Sequence, residues 1–203
     1  MVQAKTRTIA VANEKGGVGK TATVINLGAA LSKAGHRVLL VDMDPQGNTT
    51  RGLGVTTEEE APSVYDLISG NGAPSAPDVV VNTKWDHLDL LPSHVDLAGA
   101  EIELVDEVGR ESKLSDAMEP LMGAYDFILL DTPPSLSLLT VNVFTCAREV
   151  IVPCQTHPYA FGALEELFDT IAAVKEAINS DLTITGVLAT LFDQRTRVSQ
   201  RIL

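Results

Sequence analysis

The sequence predicts an α/β fold in which a mostly parallel, twisted sheet is flanked by helices on both faces. Three observations carry this expectation. Apolar runs rich in β-branched residues alternate with longer segments of helical period, the order of βαβ units. The runs are short and nearly unbroken in Val, Ile and Leu, as in strands covered on both faces. The composition of the 203 residues, 45% hydrophobic and 21% charged, is that of a globular protein, and no apolar run approaches the roughly 18 residues of a spanning helix.

In chain order, Thr8 to Ala12 reads as the first strand and Val38 to Asp42 as the second. Leu88 to Leu91 is a short strand, Phe127 to Asp131 a buried one, and Val150 to Cys154 and Thr183 to Leu191 are the last two. The first helix runs from Lys20 to Ala34, with Val24, Leu27, Ala30 and Leu31 on one stripe and Gly35 as a C-terminal stop. Helical spacing recurs through Leu97 to Val108, Lys113 to Met122, Leu138 to Ala147 and Leu164 to Ile178. Gly70 to Pro77, with two Gly and two Pro, is the expected loose surface loop. No repeat and no long linker divides the chain, so residues 1–203 are expected to form one domain. Arg195 to Leu203 begins a helical pattern and stops without a capping signal, so the chain reads as ending inside an element.

Fifteen basic residues stand against 27 acidic ones, a net charge of −12, which argues against a generally basic nucleic-acid coat but allows a local patch. Arg195, Arg197 and Arg201 supply one, with no acidic residue among the last nine positions. Cys146 and Cys154 have neither redox nor zinc spacing and read as reduced core thiols. The apolar stretch after Lys5 and Arg7 is broken at Asn13 to Lys15, too short for a secretory core, so a cytoplasmic location is expected.

The chemistry concentrates after the first strand. Asn13-Glu14-Lys15-Gly16-Gly17-Val18-Gly19-Lys20-Thr21 leads directly into the first helix. Three glycines let the backbone curl so that its N–H groups turn inward, and the helix N-terminus adds positive potential, a combination suited to phosphate. Lys20 is placed to reach the β and γ phosphates and the Thr21 hydroxyl to ligate Mg²⁺. Glu14 occupies the place of the first glycine of the usual phosphate-loop pattern, and Lys15 brings a second ammonium. With glycine at its average frequency, a chance match to this run is on the order of one in ten thousand. Asp42 and Asp44 stand at the end of the second strand, where open α/β sheets bind ligands. Asp42 can also be read as an ordinary strand-end turn former, whereas Asp44 is the candidate for orienting water or holding the metal's waters. Asp131, closing Phe127-Ile128-Leu129-Leu130-Asp131, is placed as a Mg²⁺-holding carboxylate. Thr132-Pro133-Pro134 then makes a rigid turn facing the same site.

Together these segments resemble the deviant Walker A ATPases of the ParA/MinD superfamily, and within it the chromosomal ParA (Soj) partition ATPases. Asp42-Met43-Asp44-Pro45-Gln46-Gly47-Asn48, Leu97-Ala98-Gly99-Ala100-Glu101-Ile102-Glu103-Leu104 and Asp131-Thr132-Pro133-Pro134-Ser135-Leu136 carry the resemblance, which covers almost the whole chain. It implies a P-loop NTPase fold, ATP and Mg²⁺ as cofactors, and weak hydrolysis stimulated by a ParB-type partner in DNA segregation. By the resemblance, Lys15, Gly16, Gly17, Val18, Gly19, Lys20, Thr21 and Ala22 bind nucleotide, and Lys15, Lys20 and Asp44 are catalytic. Thr21 and Asp131 hold the metal, Asp131 through water. Lys15 would cross an ATP-dependent sandwich dimer to the partner's phosphates, and Arg195, with Arg197 and Arg201, would contact DNA non-specifically on the nucleoid. No stable membrane insertion is implied.

Ala22 stands where the family commonly has a second threonine, and Gly162-Ala163 replaces a typical Glu-Gly pair. Chains of this kind usually continue through another strand and closing helices that contact adenine, so the domain is expected to lack that part. A MinD-like membrane-associated division-site regulator is the alternative, and it would need a basic amphipathic C-terminal helix. An iron–sulfur ATPase of the nitrogenase iron-protein type would need converging thiolates, which Cys154 in a buried strand does not offer. Glu58-Glu59-Glu60 reads as a solvated turn, His94 and His157 as surface or satisfied histidines, and Trp85 as either a packing anchor or a recognition residue.

Overall fold

In the computed structural model, residues 5–58, 60–69, 74–156, 162–193 and 195 are described. Strand β1 (Arg7–Val11) leads through the glycine loop into α1 (Lys20–Lys33), and β2 (Val38–Asp42) into the short α2 (Asn48–Gly52). Next come α3 (Val64–Ile68), α4 (Ala76–Val79), β3 (Val81–Asn82) and β4 (Leu88–Leu91). Then follow α5 (Leu97–Glu103), α6 (Lys113–Met118), β5 (Phe127–Asp131), α7 (Leu138–Cys146), β6 (Glu149–Gln155), α8 (Gly162–Ala177) and β7 (Thr183–Thr190). The strands form one sheet in the order β3-β4-β2-β5-β1-β6-β7. Every pairing is parallel except that of β3 with β4.

Side chains alternate across the strands, so each strand feeds two cores. Ile9, Val11, Val38, Leu40, Leu88 and Leu129 face α1, where Val24 is fully buried among them. Ala10, Ala12, Leu39, Val41, Ile128 and Leu130 face the opposite way, toward the larger core that includes Leu97, Leu114, Phe144 and Leu167. Helices therefore cover both faces of a mostly parallel sheet, as the sequence predicts. The order also brings the carboxyl ends of β2, β5 and β1 side by side: Asp42 pairs with Asp131, and Asp131 with Val11. The switch point lies between β1 and its neighbour β5, since the chain leaves β1 toward β2 on one side and leaves β5 toward β6 on the other, the position where such sheets open a crevice.

Several boundaries differ from the sequence-based expectation. α5 stops at Glu103, short of Val108, because the residues that suggested continuation gain nothing by it: Val105 and Val108 are 55% and 97% exposed. α6 gives way to a 3-10 turn at Glu119–Leu121, where Pro120 has no N–H for the helical ladder. The Gly70 to Pro77 expectation falls partly on residues 70–73, outside the described ones, and partly on α4, whose first turn contains Pro77. Most strands are expected to be buried on both faces, and β7 is an exception. Among the described residues it is an edge strand paired with β6 alone, and Ile184, Val187 and Leu188 are 40%, 52% and 43% exposed. Both Cys146 and Cys154 are buried free thiols, and burial pushes Cys146 up to about 12.

α1 lies so close to β2 that a Cβ on Gly28 would meet Leu40 Cδ2 at 2.7 Å and Leu88 Cδ1 at 3.4 Å. Helix propensity alone would favour replacing this glycine by roughly 0.5–1 kcal/mol. The contact outweighs it, since both leucines are fully buried. Gly28→Val is expected to destabilise the chain by about 1–3 kcal/mol in urea denaturation, and a gain in stability would show that α1 does not sit this close to the sheet.

Candidate phosphate and metal site

The loop between β1 and α1 is anchored from its neighbours. Asn13, buried, donates from Nδ2 to the carbonyl of Pro153 at 2.8 Å and accepts the Lys15 N–H at 3.0 Å. Gln155 Nε2 donates to the Gly17 carbonyl at 3.0 Å, and the Thr190 hydroxyl to the Val18 carbonyl at 2.7 Å. The ends of β6 and β7 thus hold the loop's outer carbonyls. Gly17 and Gly19 have φ of 73° and 96°, left-handed conformations that glycine adopts without strain. Gly19 is the N-cap of α1 and no side chain caps that end, which leaves the helix terminus open to an anion.

Lys20 is only 7% exposed and donates from Nζ to the Lys15 carbonyl at 3.0 Å, closing the loop on itself. Burial lowers its pKa, while the charges of Asp131 and Asp44 oppose that shift. Lys15 lies on the same loop, half-buried. In front of the loop is a cleft of about 470 Å³ whose walls include Gly16, Gly19, Lys20, Thr21, Asp44 and Pro134. The structure therefore brings together, in one cleft, the glycines, Lys20, Thr21, Ala22 and Asp44 singled out in the sequence.

Asp131 is fully buried at the end of β5. Its Oδ2 accepts two hydroxyls at 2.7 Å, from Thr21 and from Thr49, while its Oδ1 is buried with no partner. Burial raises this carboxyl to about 6 despite the two hydroxyls. Beside it Asp42, also fully buried, is occupied on both oxygens. Oδ1 accepts the Asp44 N–H at 3.3 Å, and Oδ2 accepts the Thr50 N–H at 2.8 Å and its hydroxyl at 2.7 Å. Burial outweighs these three donors and raises Asp42 to about 7. Of the two readings left open for Asp42, the strand-end turn former is the one its bonding supports. Asp44 lines the cleft, and its Oδ1 accepts the Gln46 N–H at 2.9 Å.

Thr49, Thr50, Ser93, Gln155 and Thr190 escaped sequence reading because their bonds span 43 to 172 positions for all but the local pairs. The one signal on offer was Thr49-Thr50 behind Gly47-Asn48, a hydroxyl pair opening a helix. Arg195 is 89% exposed along its side chain and forms a two-pronged pair with Asp193, at 2.9 and 2.8 Å. The positive island is thus partly offset by an acid just before it. Arg197 and Arg201 lie outside the described residues, as does His157. His94 sits 3.2 Å from Asp96, and Trp85 is stacked beneath Lys84. Among the described residues no cluster of three or more His, Cys, Asp or Glu forms a metal site.

The two raised carboxyls have a stability consequence. An acid whose folded pKa exceeds its unfolded value of about 4 holds its proton more tightly when folded, so the folded state binds more protons between about pH 4 and 7 and stability falls as pH rises through that window. Asp126 and Glu149, lowered by Arg37 and Arg7, act in the opposite sense only below about pH 4. Without divalent cations, urea denaturation is expected to give a stability roughly 1–3 kcal/mol lower at pH 8 than at pH 5.5. A flat or rising profile would contradict the buried ionisations.

A family description, AAA domain, matches residues 6–184. The sporulation initiation inhibitor protein Soj of Bacillus subtilis is 44% identical over 97% of this chain and 77% of its own length. The chromosome partitioning protein ParA of Myxococcus xanthus is 43% identical over 97% of this chain and 69% of its own. The chain spans from 62% to 77% of the length of such curated relatives. A solved structure from Mycobacterium smegmatis, described as cobyrinic acid a,c-diamide synthase with bound ADP and magnesium, superposes with a TM-score of 0.91 at 43% identity, over 97% of this chain and 79% of that one. Identity of this extent, with a family match over most of the chain and a close superposition of the fold, leaves one assignment: the chain belongs to the AAA-domain family, in its Soj/ParA branch of partitioning ATPases.

Proposed function

We propose that the chain binds ATP with Mg²⁺ and hydrolyses it as the timing step of a DNA-segregation switch. The observation that carries this reading is Asp131 Oδ1, a fully buried carboxylate oxygen with no partner, in a side chain whose other oxygen accepts the hydroxyl of the cleft-lining Thr21. A buried acceptor left unpaired costs roughly 1–3 kcal/mol, a cost a bound cation would relieve. Asp131 and Thr21 fit Mg²⁺, Asp131 through a water. The ion, when bound, supplies positive charge that withdraws electron density from the β and γ phosphates. The mycobacterial relative solved with ADP and magnesium supports nucleotide in this cleft.

Residues 16–22 would cradle the phosphates through main-chain N–H groups, the α1 N-terminus adding its dipole and Lys20 its charge. Asp44 would orient a water whose oxygen attacks the γ-phosphorus as the bond to the β-bridging oxygen breaks, giving ADP, phosphate and a released proton. Lys15 would reach the phosphates of a second copy, so that ATP binding and dimerisation are coupled. Doubling Arg195, Arg197 and Arg201 in such a dimer would give salt-sensitive, sequence-independent DNA affinity on the nucleoid, released when a ParB-type partner stimulates hydrolysis in the cytoplasm.

One set of variants tests this. By calorimetry Lys20→Ala is expected to weaken ATP binding about 100-fold. Asp44→Ala is expected to keep ATP affinity and slow turnover by about 100-fold or more. In a DNA titration with ATP, ADP or no nucleotide, Lys15→Gln should lose ATP-dependent dimerisation and Arg195→Glu should lose DNA affinity with the dimer intact. Undiminished ATP affinity in Lys20→Ala would defeat the reading.

A further inference from the structure

Four residues close a ring of hydrogen bonds around the main chain of Asp44. The Asp44 N–H donates to Asp42 Oδ1 at 3.3 Å, and Asp42 Oδ2 accepts the Thr50 hydroxyl at 2.7 Å. The Thr50 oxygen accepts the Ser93 N–H at 3.1 Å, and the Ser93 hydroxyl donates back to the Asp44 carbonyl at 2.6 Å. All four residues are buried. Both main-chain groups of Asp44 are therefore held, one by β2's last residue and the other by Ser93, which arrives 49 positions later, two residues past the end of β4. The Pro92 carbonyl accepts the Val64 N–H at 2.9 Å, which ties this corner to α3 as well.

The ring does not include the side chain of Asp44. Its carboxylate, whose Oδ1 accepts the Gln46 N–H, lines the cleft while its main chain is held from both sides, and among the described residues the groups that hold it make no bond to the glycine loop or Lys20. We infer that Ser93 and Thr50 are positioning residues for hydrolysis, setting where the Asp44 carboxylate stands without contributing to nucleotide affinity. This rests on the proposed role of Asp44. The physical basis is that a water-orienting group displaced by a fraction of an ångström loses rate while binding contacts elsewhere are unaffected.

The test compares Ser93→Ala, Thr50→Val and Thr50→Ser in the otherwise unchanged chain. Thr50→Val keeps the shape and removes the hydroxyl; Thr50→Ser keeps the hydroxyl. Expected are an approximately tenfold lower kcat for ATP in Ser93→Ala and Thr50→Val, ADP affinity within about twofold of the unsubstituted chain, and rescue of kcat in Thr50→Ser. Without nucleotide, the Ser93 amide should exchange about tenfold faster in Thr50→Val and not in Thr50→Ser. Unchanged kcat in both hydroxyl-lacking variants would overturn the inference alone. So would parallel losses of kcat and ADP affinity that Thr50→Ser fails to rescue, since a merely structural role predicts them. Absence of ATP hydrolysis in the unsubstituted chain would overturn the reading of the site and the inference together.

Discussion

Two carboxylates buried side by side at the ends of neighbouring strands govern the architecture of this cleft. The parallel register that aligns the main core of β2 with β5 also pairs Asp42 with Asp131, and neither side chain retains any exposure to water. Charge in such a place is costly unless it is bonded or neutralised. The surroundings answer each residue differently. Asp42 receives two main-chain N–H groups and a hydroxyl and becomes part of the framework, whereas Asp131 receives two hydroxyls on one oxygen and none on the other. That asymmetry separates an acid bonded on both oxygens from one with an oxygen left unpaired, the feature on which the proposed cation site rests.

The same logic accounts for the short helix α2. Gly47, at a φ of 60°, starts it without a capping side chain, and its first turn carries Thr49 to Asp131 and Thr50 to Asp42. Two adjacent hydroxyls on one helix turn thus serve two adjacent strands, and the turn ends up fixed above the cleft with Asp44 at its root. On the other side of β1, Gln155 and Thr190 hold the glycine loop from strands β6 and β7. Among the described residues, the Thr190 hydroxyl is the hydrogen bond that links edge strand β7 to the phosphate loop.

Much of this was legible in the sequence because its signals are local. The glycine run before an amphipathic helix, the strand Phe127–Asp131 and the Asp42–Asp44 turn each declare themselves within a few residues, and the structure places all of them at one crevice. The α3 start could also have been read, since Ser63 and Asp66 form a capping box three positions apart. What escaped were partners that only the folded register creates. Ser93 is unremarkable behind a short strand until parallel pairing of β4 with β2 sets it against Asp44, and Thr190 has no local reason to face Val18. The overlong expectation for α5 failed for a related reason: apolar spacing at Val105 and Val108 implied burial that no neighbour supplies.

If the unpaired oxygen of Asp131 is reserved for a cation, its effect belongs to the metal-dependent part of nucleotide binding. Calorimetric titration of ADP into the chain and into Asp131→Asn, each with and without Mg²⁺, separates that part. The account predicts that Mg²⁺ tightens ADP binding by about tenfold or more in the unsubstituted chain and leaves Asp131→Asn unchanged, with similar metal-free affinities in both. An equal Mg²⁺ gain in the two proteins would contradict it and place the cation on other groups.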